Sequence, residues 1–193
     1  MRIIANLKPL KIIGRKDFFM KLKREALAHY LDTAWNKKVA DASKATFEIL
    51  GDDIEDMSVD MNPDTTQLKN ILGQTKTTDN GFTPSMSADP WYANTESGLY
   101  PHMRDIVMEH MTGDERKTLM LEVIVEDTEA EAHTAYLREV KVTPTSYGGG
   151  TEGFNIPFTV DFDGAFAKGT VTAESVRAGS PVFTAASGVS LTD

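Results

Sequence analysis

The chain has 193 residues, no cysteine and a formal net charge of −9, with 40% hydrophobic and 25% charged residues. A chain of this size and composition is expected to form one soluble domain with a real core. The composition excludes disulfides, thiolate metal sites and the fibrous or disordered classes of protein.

The charge is distributed unevenly along the chain. Residues 1–24 hold eight basic residues and one acidic residue, a charge of +7, which subtracted from −9 leaves −16 for residues 25–193. A body this acidic repels phosphate, which argues against a conventional nucleic-acid-binding module and favours non-adhesive contact with DNA. Lys8, Pro9 and Lys11 interrupt the apolar N-terminal residues, so no secretion signal is predicted. No apolar run approaches the ~18 residues of a membrane span.

Strand patterns begin near residue 46. Residues 21–30 fit a short helix or an extended arm equally well, and residues 32–45 are expected to be a connector. Residues 46–50 predict the first strand. The second strand, up to residue 61, is predicted from alternating residues that give one buried and one wet face: Met57, Val59 and Met61.

A long polar stretch follows the second strand. Pro63 and its neighbours end that strand, and residues 65–81 are polar apart from Leu68, Ile71 and Leu72. A loop of this length inside a compact domain is usually functional or disordered. The stretch is therefore the first candidate for a functional segment.

An edge strand and one helix come next. Residues 83–93 restore an extended pattern, which Pro90 confines to an edge or a bend. Pro101 then begins an amphipathic helix, and Gly113 suits its end. The apolar face of this helix is predicted to hold Met103, Ile106, Val107, His110 and Met111.

The second half of the chain predicts further strands at residues 118–126, 134–142, 154–162, 167–173 and 181–185. A change of apolar phase near Arg138-Glu139 predicts a bulge, and Asp163-Gly164 predicts a hairpin turn. The predicted fold class is mainly β with one flanking α-helix, a β-sandwich or partly open barrel.

Motifs for catalysis or metal binding are not found. No paired ligand spacing occurs among His29, His102, His110 and His133. Gly148-Gly149-Gly150 precedes a strand, which favours a hinge over a phosphate site. Carboxylates are so widespread that a solvated acidic face is favoured over a catalytic pair. The sequence therefore predicts no enzyme activity and no cofactor.

Several segments, taken in order, resemble one family. From residue 20 these are MKLKREALAHYLDT, FEILGDDIEDMSVDMNPDTTQ, GFTPSMSADP, TLMLEVIVE and VKVTPTSYGGGTEGFNIPFTVDFDGAFAKGTVT. Together they resemble the major tail tube proteins of long-tailed (siphovirus-type) phages of Gram-positive bacteria, over residues 20–183. On this basis residues 1–19 are a basic extension of uncertain status, 20–185 the tail tube β-sandwich domain and 186–193 a polar tail.

The resemblance implies a structural virion protein that forms stacked hexameric rings, the tube through which DNA is ejected. The implied partners are other copies of the chain, a tape measure protein, and tail terminator and distal tail proteins, with assembly in the host cytoplasm and no membrane. Double-stranded DNA would pass through without specific binding. The family's inter-ring loop maps onto residues 62–82, with stacking residues Asn62, Pro63, Asp64, Thr65, Thr66, Thr77, Thr78, Gly81 and Phe82.

The resemblance also implies an acidic lumen. The candidates are carboxylates that alternate opposite the apolar faces of two central strands: Glu122, Glu126, Asp161 and Asp163. Two alternatives from other classes stay open. One is an adhesion or carbohydrate-binding module with an aromatic platform of Trp91, Tyr92 and Tyr100, and the other is a hydrolase with a convergent acidic pair.

Overall fold

The computed structural model describes residues 21–51, 54 and 57–186. The extension predicted at residues 1–19 and nearly all of the C-terminal tail lie outside the described residues. The strands are β1 Leu27–Asp32, β2 Phe47–Leu50, β3 Val59–Asp60, β4 Pro63–Lys69, β5 Thr75–Phe82, β6 Ser85–Ala88, β7 Lys117–Ile124, β8 Ala132–Pro144, β9 Phe158–Thr172 and β10 Phe183–Ala185. The helices are α1 Tyr100–Met108 and the short α2 Ala173–Arg177, with 3-10 turns at Arg24–Ala26, Val39–Lys44 and Gly113–Arg116.

One curled, half-open antiparallel sheet forms the body of the protein. Its strand order is β2-β1-β7-β8-β9-β6-β3, and β10 pairs with the far part of β9. The hairpin of β4 and β5 is a separate two-stranded sheet. The predicted fold class, mainly β with a flanking helix, is confirmed. We call the end of the sheet where β7 begins the lower end and the end where β7 finishes the upper end.

The body has two cores on opposite faces of the same sheet. On the first face, Leu31, Met120 and Val140 are buried at the lower end beneath Leu99 and Met103, which come from α1 and the segment before it. On the second face, the buried residues lie towards the upper end and pack against the 3-10 turn Val39–Lys44 and β10: Tyr30, Leu121, Val123, Ala135, Leu137, Val171 and Phe183. Each face is therefore covered over only part of its length.

The change of apolar phase in β8 follows from these two cores. The register between β7 and β8 is continuous, so no bulge in that pair causes the change. Leu137 and Val140 lie on opposite faces of the sheet, and each is buried in a different core. A register shift does occur at the predicted position, between Arg138 and Val140, but only in the pairing with β9. The predicted bulge is confirmed, and the extra residues belong to β9.

The hairpin predicted at Asp163-Gly164 is wrong. β9 continues through these residues as one strand because β8 is long enough to pair with both of its halves. Gly164 has a φ of 147°, a conformation that favours glycine, and the Glu139 carboxylate accepts a hydrogen bond from the Ala165 N–H at 3.3 Å. The Asp-Gly signal thus marks a bulge instead of a turn.

Other predictions are adjusted in detail. Residues 21–30 take the extended alternative, as β1 after one 3-10 turn. The predicted second strand is reduced to β3, with Met57 buried but Met61 50% exposed. Helix α1 ends at Met108, so His110 does not lie on its apolar face but is exposed, with a φ of 54°.

A turn built on Asp32 joins α1 to the lower end of the sheet. The buried Asp32 carboxylate accepts hydrogen bonds from the N–H groups of Ala34, Asn36 and Thr46 at 2.8–2.9 Å. The Trp35 ring stacks on the His102 ring of α1 with centroids 4.6 Å apart. The Trp35 indole N–H also donates to the Glu115 carbonyl at 3.0 Å, which fixes the chain just before β7.

Candidate functional site

The long polar stretch, which the sequence predicts as a loop, forms a β-hairpin of β4 and β5. Residues pair in register from Pro63↔Phe82 to Lys69↔Thr75, with one irregularity between Asp64 and Thr65. β-Branched threonines favour extended backbone, and the Asn70 side chain closes the turn by accepting hydrogen bonds from two backbone N–H groups at 2.9 and 3.0 Å. Gly73, with a φ of 78°, supplies the left-handed residue of that turn.

This hairpin is exposed along its whole length. All residues of β4 and β5 are exposed except Gly81, and neither strand pairs with a further strand of the described chain. A two-stranded hairpin alone is at best marginally stable in water. Its length and exposure therefore favour a segment that another molecule covers.

The tip of the hairpin carries the two most exposed large hydrophobic residues of the described chain. Ile71 is fully exposed at 103% and Leu72 is 78% exposed. Exposed aliphatic side chains grouped at the end of a projection are typical of a contact surface. Neither residue was among the predicted stacking residues, although both fall within residues 62–82. Their signal in the sequence was that they interrupt an otherwise polar stretch.

The predicted stacking residues occupy the base and the arms of this hairpin. At the base, the Asn62 side-chain amide donates to the Thr83 carbonyl and the Ser85 hydroxyl, both at 3.1 Å. Thr66 in one arm accepts a hydrogen bond from the Asn80 side chain in the other at 2.9 Å. These contacts stabilise the hairpin itself and leave its outer surface free.

The four predicted lumen carboxylates do not share one face of the sheet. Glu122 lies on the first face, whereas Asp161 pairs with Lys141 on the second. The prediction assumed that the apolar sides of β7 and β9 agree, but Leu121 and Val160 are buried in different cores. The remaining two lie elsewhere: Asp163 is exposed at the bulge of β9, and Glu126 is exposed beyond the last residue of β7.

Glu122 belongs to a partly buried cluster on the first face. Its carboxylate lies 2.6 Å from the Arg138 Nε and 3.7 Å from the Nδ1 of His29, which is 1% exposed. Neither ring nitrogen of His29 has a hydrogen-bond partner within the described residues. Burial lowers the pKa of His29 and outweighs the opposing effect of the Glu122 charge. Glu122 is thus neutralised locally by Arg138.

An open groove of about 390 Å³ adjoins this cluster. Its apolar wall includes Met57, Met61 and Phe162. The Arg138 guanidinium lies over the rings of Phe162 and Phe166, 5.5 and 5.4 Å from their centroids. With Phe166 62% exposed, this part of the first face is suited to contact with another protein surface.

The aromatic platform expected of a carbohydrate-binding module does not form. Trp91 is 8% exposed and packs edge-on against Phe158, with ring centroids 5.9 Å apart. Tyr92 donates a hydrogen bond to Glu152 at 3.1 Å, and Tyr100 begins α1. Because Trp91 is buried in the core, the three rings offer no shared face to a sugar.

The described residues form neither a metal-binding cluster nor a membrane-spanning helix. No group of three or more histidine, aspartate or glutamate side chains in the described ranges is placed to hold a metal ion. No helix within those same ranges is long and apolar enough to cross a membrane.

Comparison with known proteins finds likeness at the level of structure. No family model matches the chain, and no curated protein matches it. Among solved structures, it is similar to the cryo-EM structure of the anti-feeding prophage cap (AFP tube terminating cap), with a TM-score of 0.44 and 11% sequence identity. The match covers 82% of this chain and 99% of that chain.

Proposed function

We propose that this chain is a structural subunit of a phage tail, the major tail tube protein, and has no catalytic role. The observation that carries the proposal is the exposed β4–β5 hairpin with Ile71 and Leu72 at its tip, on a body whose cores are otherwise well covered. Such a projection needs a partner to bury its apolar tip. The ordered resemblance of residues 20–183 to tail tube proteins supplies the identity of that partner, another copy of the chain.

In this proposal six copies form a ring, and the rings stack into the tube through which DNA leaves the virion. The curled sheet supports this arrangement, because six copies that each contribute about four strands at ~4.8 Å spacing and ~45° tilt enclose a lumen of roughly 40 Å, wide enough for duplex DNA. The hairpin would reach the next ring. A tape measure protein inside the tube, and terminator and distal tail proteins at its ends, complete the proposed set of partners.

The acidic lumen is part of the same proposal, but fewer of the four candidate carboxylates suit it. Because Arg138 neutralises Glu122, the exposed Asp161 and Asp163 are the better candidates among the four carboxylates. Six-fold repetition of a modest charge builds a strong field in a confined channel. A net acidic wall would let DNA slide without binding.

Electron microscopy of the purified chain tests the proposal. We expect rings or tubes at high protein concentration, and an open-ended size distribution in sedimentation. A variant without residues 65–80 is expected to stay folded, as judged by circular dichroism, and to form no tubes. A wild-type chain that remains monomeric at every concentration, or a deletion variant that forms normal tubes, would contradict the proposal.

A further inference from the structure

Arg116 is an unpaired cation in a groove at the lower end of the sheet. Its Nε is buried and has no hydrogen-bond partner within residues 21–51, 54 and 57–186, and one terminal nitrogen donates to the Thr143 hydroxyl at a long 3.4 Å. No carboxylate of the described chain lies within 4 Å of it. A buried N–H without a partner is unfavourable, so this side chain is set to receive an acceptor.

The groove around Arg116 suits a carboxylate. It has a volume of about 280 Å³, and its apolar wall is formed by Ile106, Val107, Met111 and Tyr147. His110 is the only other ionisable group of basic type that lines it. A guanidinium binds a carboxylate through two parallel hydrogen bonds, and an apolar surround strengthens such a pair relative to water. The ligand class is therefore a carboxylate carried on a chain that can enter from solvent.

A matching acidic loop lies at the upper end. Between β7 and β8 the chain reads EDTEAE over residues 126–131. Its four carboxylates are exposed, and none forms a salt bridge with another described residue: Glu126, Asp127, Glu129 and Glu131. Two contacts hold the loop in place, Arg177 donating to the Thr128 carbonyl at 3.1 Å and Asp127 accepting from the Glu129 N–H at 2.9 Å.

The groove and the acidic loop cannot meet within one copy. Arg116 directly precedes β7 and Glu126 follows it, so the eight residues of that strand hold them about 25 Å apart. A contact between two different surfaces at opposite ends of a molecule is head-to-tail, and repeated addition extends it into an open polymer.

The register also locates the base of the hairpin. Ser85 pairs with Asp161, which pairs with Lys141, the partner of Lys117. The hairpin is therefore attached at the level where β7 begins, at the same end of the sheet as the Arg116 groove, and the acidic loop lies at the opposite end.

We propose that the Arg116 groove of one copy binds a carboxylate of residues 126–131 of another copy, and that this contact joins successive rings. The inference rests on the proposed tube function and adds a second stacking contact to the hairpin. It also assigns Glu126 to the junction between rings, a different role from the lumen wall.

Charge reversal in two chains tests the contact. One variant is Arg116→Glu, and the other replaces all four loop carboxylates with lysine, at Glu126, Asp127, Glu129 and Glu131. We expect each variant alone to raise the protein concentration needed for tube formation at least tenfold. An equal mixture should recover tubes, because the reversed groove of one variant accepts the reversed loop of the other and the two unaltered surfaces also match. A single chain with all five substitutions should recover tubes by itself.

Controls separate this contact from folding and from the proposed function. Arg104→Glu, a reversal on the exposed side of α1, should assemble as wild type, and melting temperatures show whether each variant folds. If Arg116→Glu does not fold, the exposed loop variant and its failure to assemble alone still decide the question. Loop and groove variants that assemble alone like wild type overturn the contact while the tube function stands. A wild-type chain that never assembles overturns both.

Discussion

The β4–β5 hairpin and the central strands β7, β8 and β9 use the same antiparallel pairing but differ in what supports them. Along β7, five of the eight residues are buried and the other three are only partly exposed, with Leu119, Met120 and Leu121 at 0%. Along the hairpin nearly every side chain faces solvent. Since apolar burial contributes most of the stability of a sheet, the central strands are stabilised within one copy, whereas the hairpin gains little stability from the rest of the described chain.

Because the body is stabilised by its buried cores, we expect a charge placed in a core to cause the largest loss in the free energy of unfolding. Ile106→Asp places a carboxylate on the buried side of α1, at a position that is 5% exposed. We expect a loss of about 3–5 kcal/mol in the free energy of unfolding, measured by urea denaturation. The matched control is Met108→Asp on the same helix, where the side chain is 53% exposed and the change should stay near 0.5 kcal/mol. Equal losses in the two variants would contradict the packing of α1.

The next largest loss of stability is expected at Asp32, whose buried carboxylate accepts several backbone hydrogen bonds. Asp32→Ala removes the acceptor of the Ala34, Asn36 and Thr46 N–H groups, and we expect a loss of about 2–4 kcal/mol. The same substitution in the hairpin, Asp64→Ala, removes an exposed carboxylate and should change stability by less than about 0.5 kcal/mol. Thermal unfolding of both variants measures the difference between the two regions directly.

A smaller effect is the pH dependence that His29 confers. Its pKa in the folded chain is below the ordinary value of 6.5, so the unfolded chain binds more protons as pH falls through 6.5. The stability contributed by the neutral ring is fully present above that value and decreases as pH falls towards the folded pKa. We expect His29→Gln to flatten the dependence of unfolding free energy on pH below the ordinary histidine pKa of 6.5. An unchanged slope would mean that His29 is not the responsible group.

The smallest effect on stability, and a large one on assembly, is predicted at the hairpin tip. Replacing Ile71 and Leu72 with serine removes only exposed apolar surface, so the melting temperature should match wild type. Tube formation should be lost or need much higher protein concentration, as sedimentation would detect. The control is Val182→Ser, since Val182 is also exposed, at 67%, but lies outside the hairpin. Normal assembly of the tip variant would show that Ile71 and Leu72 take no part in the stacking contact.

Predictions for local structure succeeded where a short segment carries its own signal. The apolar alternation of residues 118–126 is confirmed as β7, and the pattern after Pro101 as α1. The threonines of residues 65–81 favour extended backbone, but the length and polarity of the stretch predict a loop, because it has no buried face whose alternation would indicate strands. A hairpin that is exposed on both faces has little hydrophobic pattern in its sequence.

The sequence by itself determined that the protein is mainly β, which residues share a face within each strand, and that the polar stretch before residue 83 stands apart from the core. Only the tertiary structure decided which of the two sheet faces is buried at each position along a strand. A period of two shows that side chains alternate between the faces, but it does not show which face another element covers. Here α1 covers the first face at the lower end, whereas β10 and the Val39–Lys44 turn cover the second face above it. That division put Glu122 and Asp161 on opposite faces. The long-range register of the sheet likewise placed Arg116 and the acidic loop at its two ends, a relation that spacing along the chain does not encode.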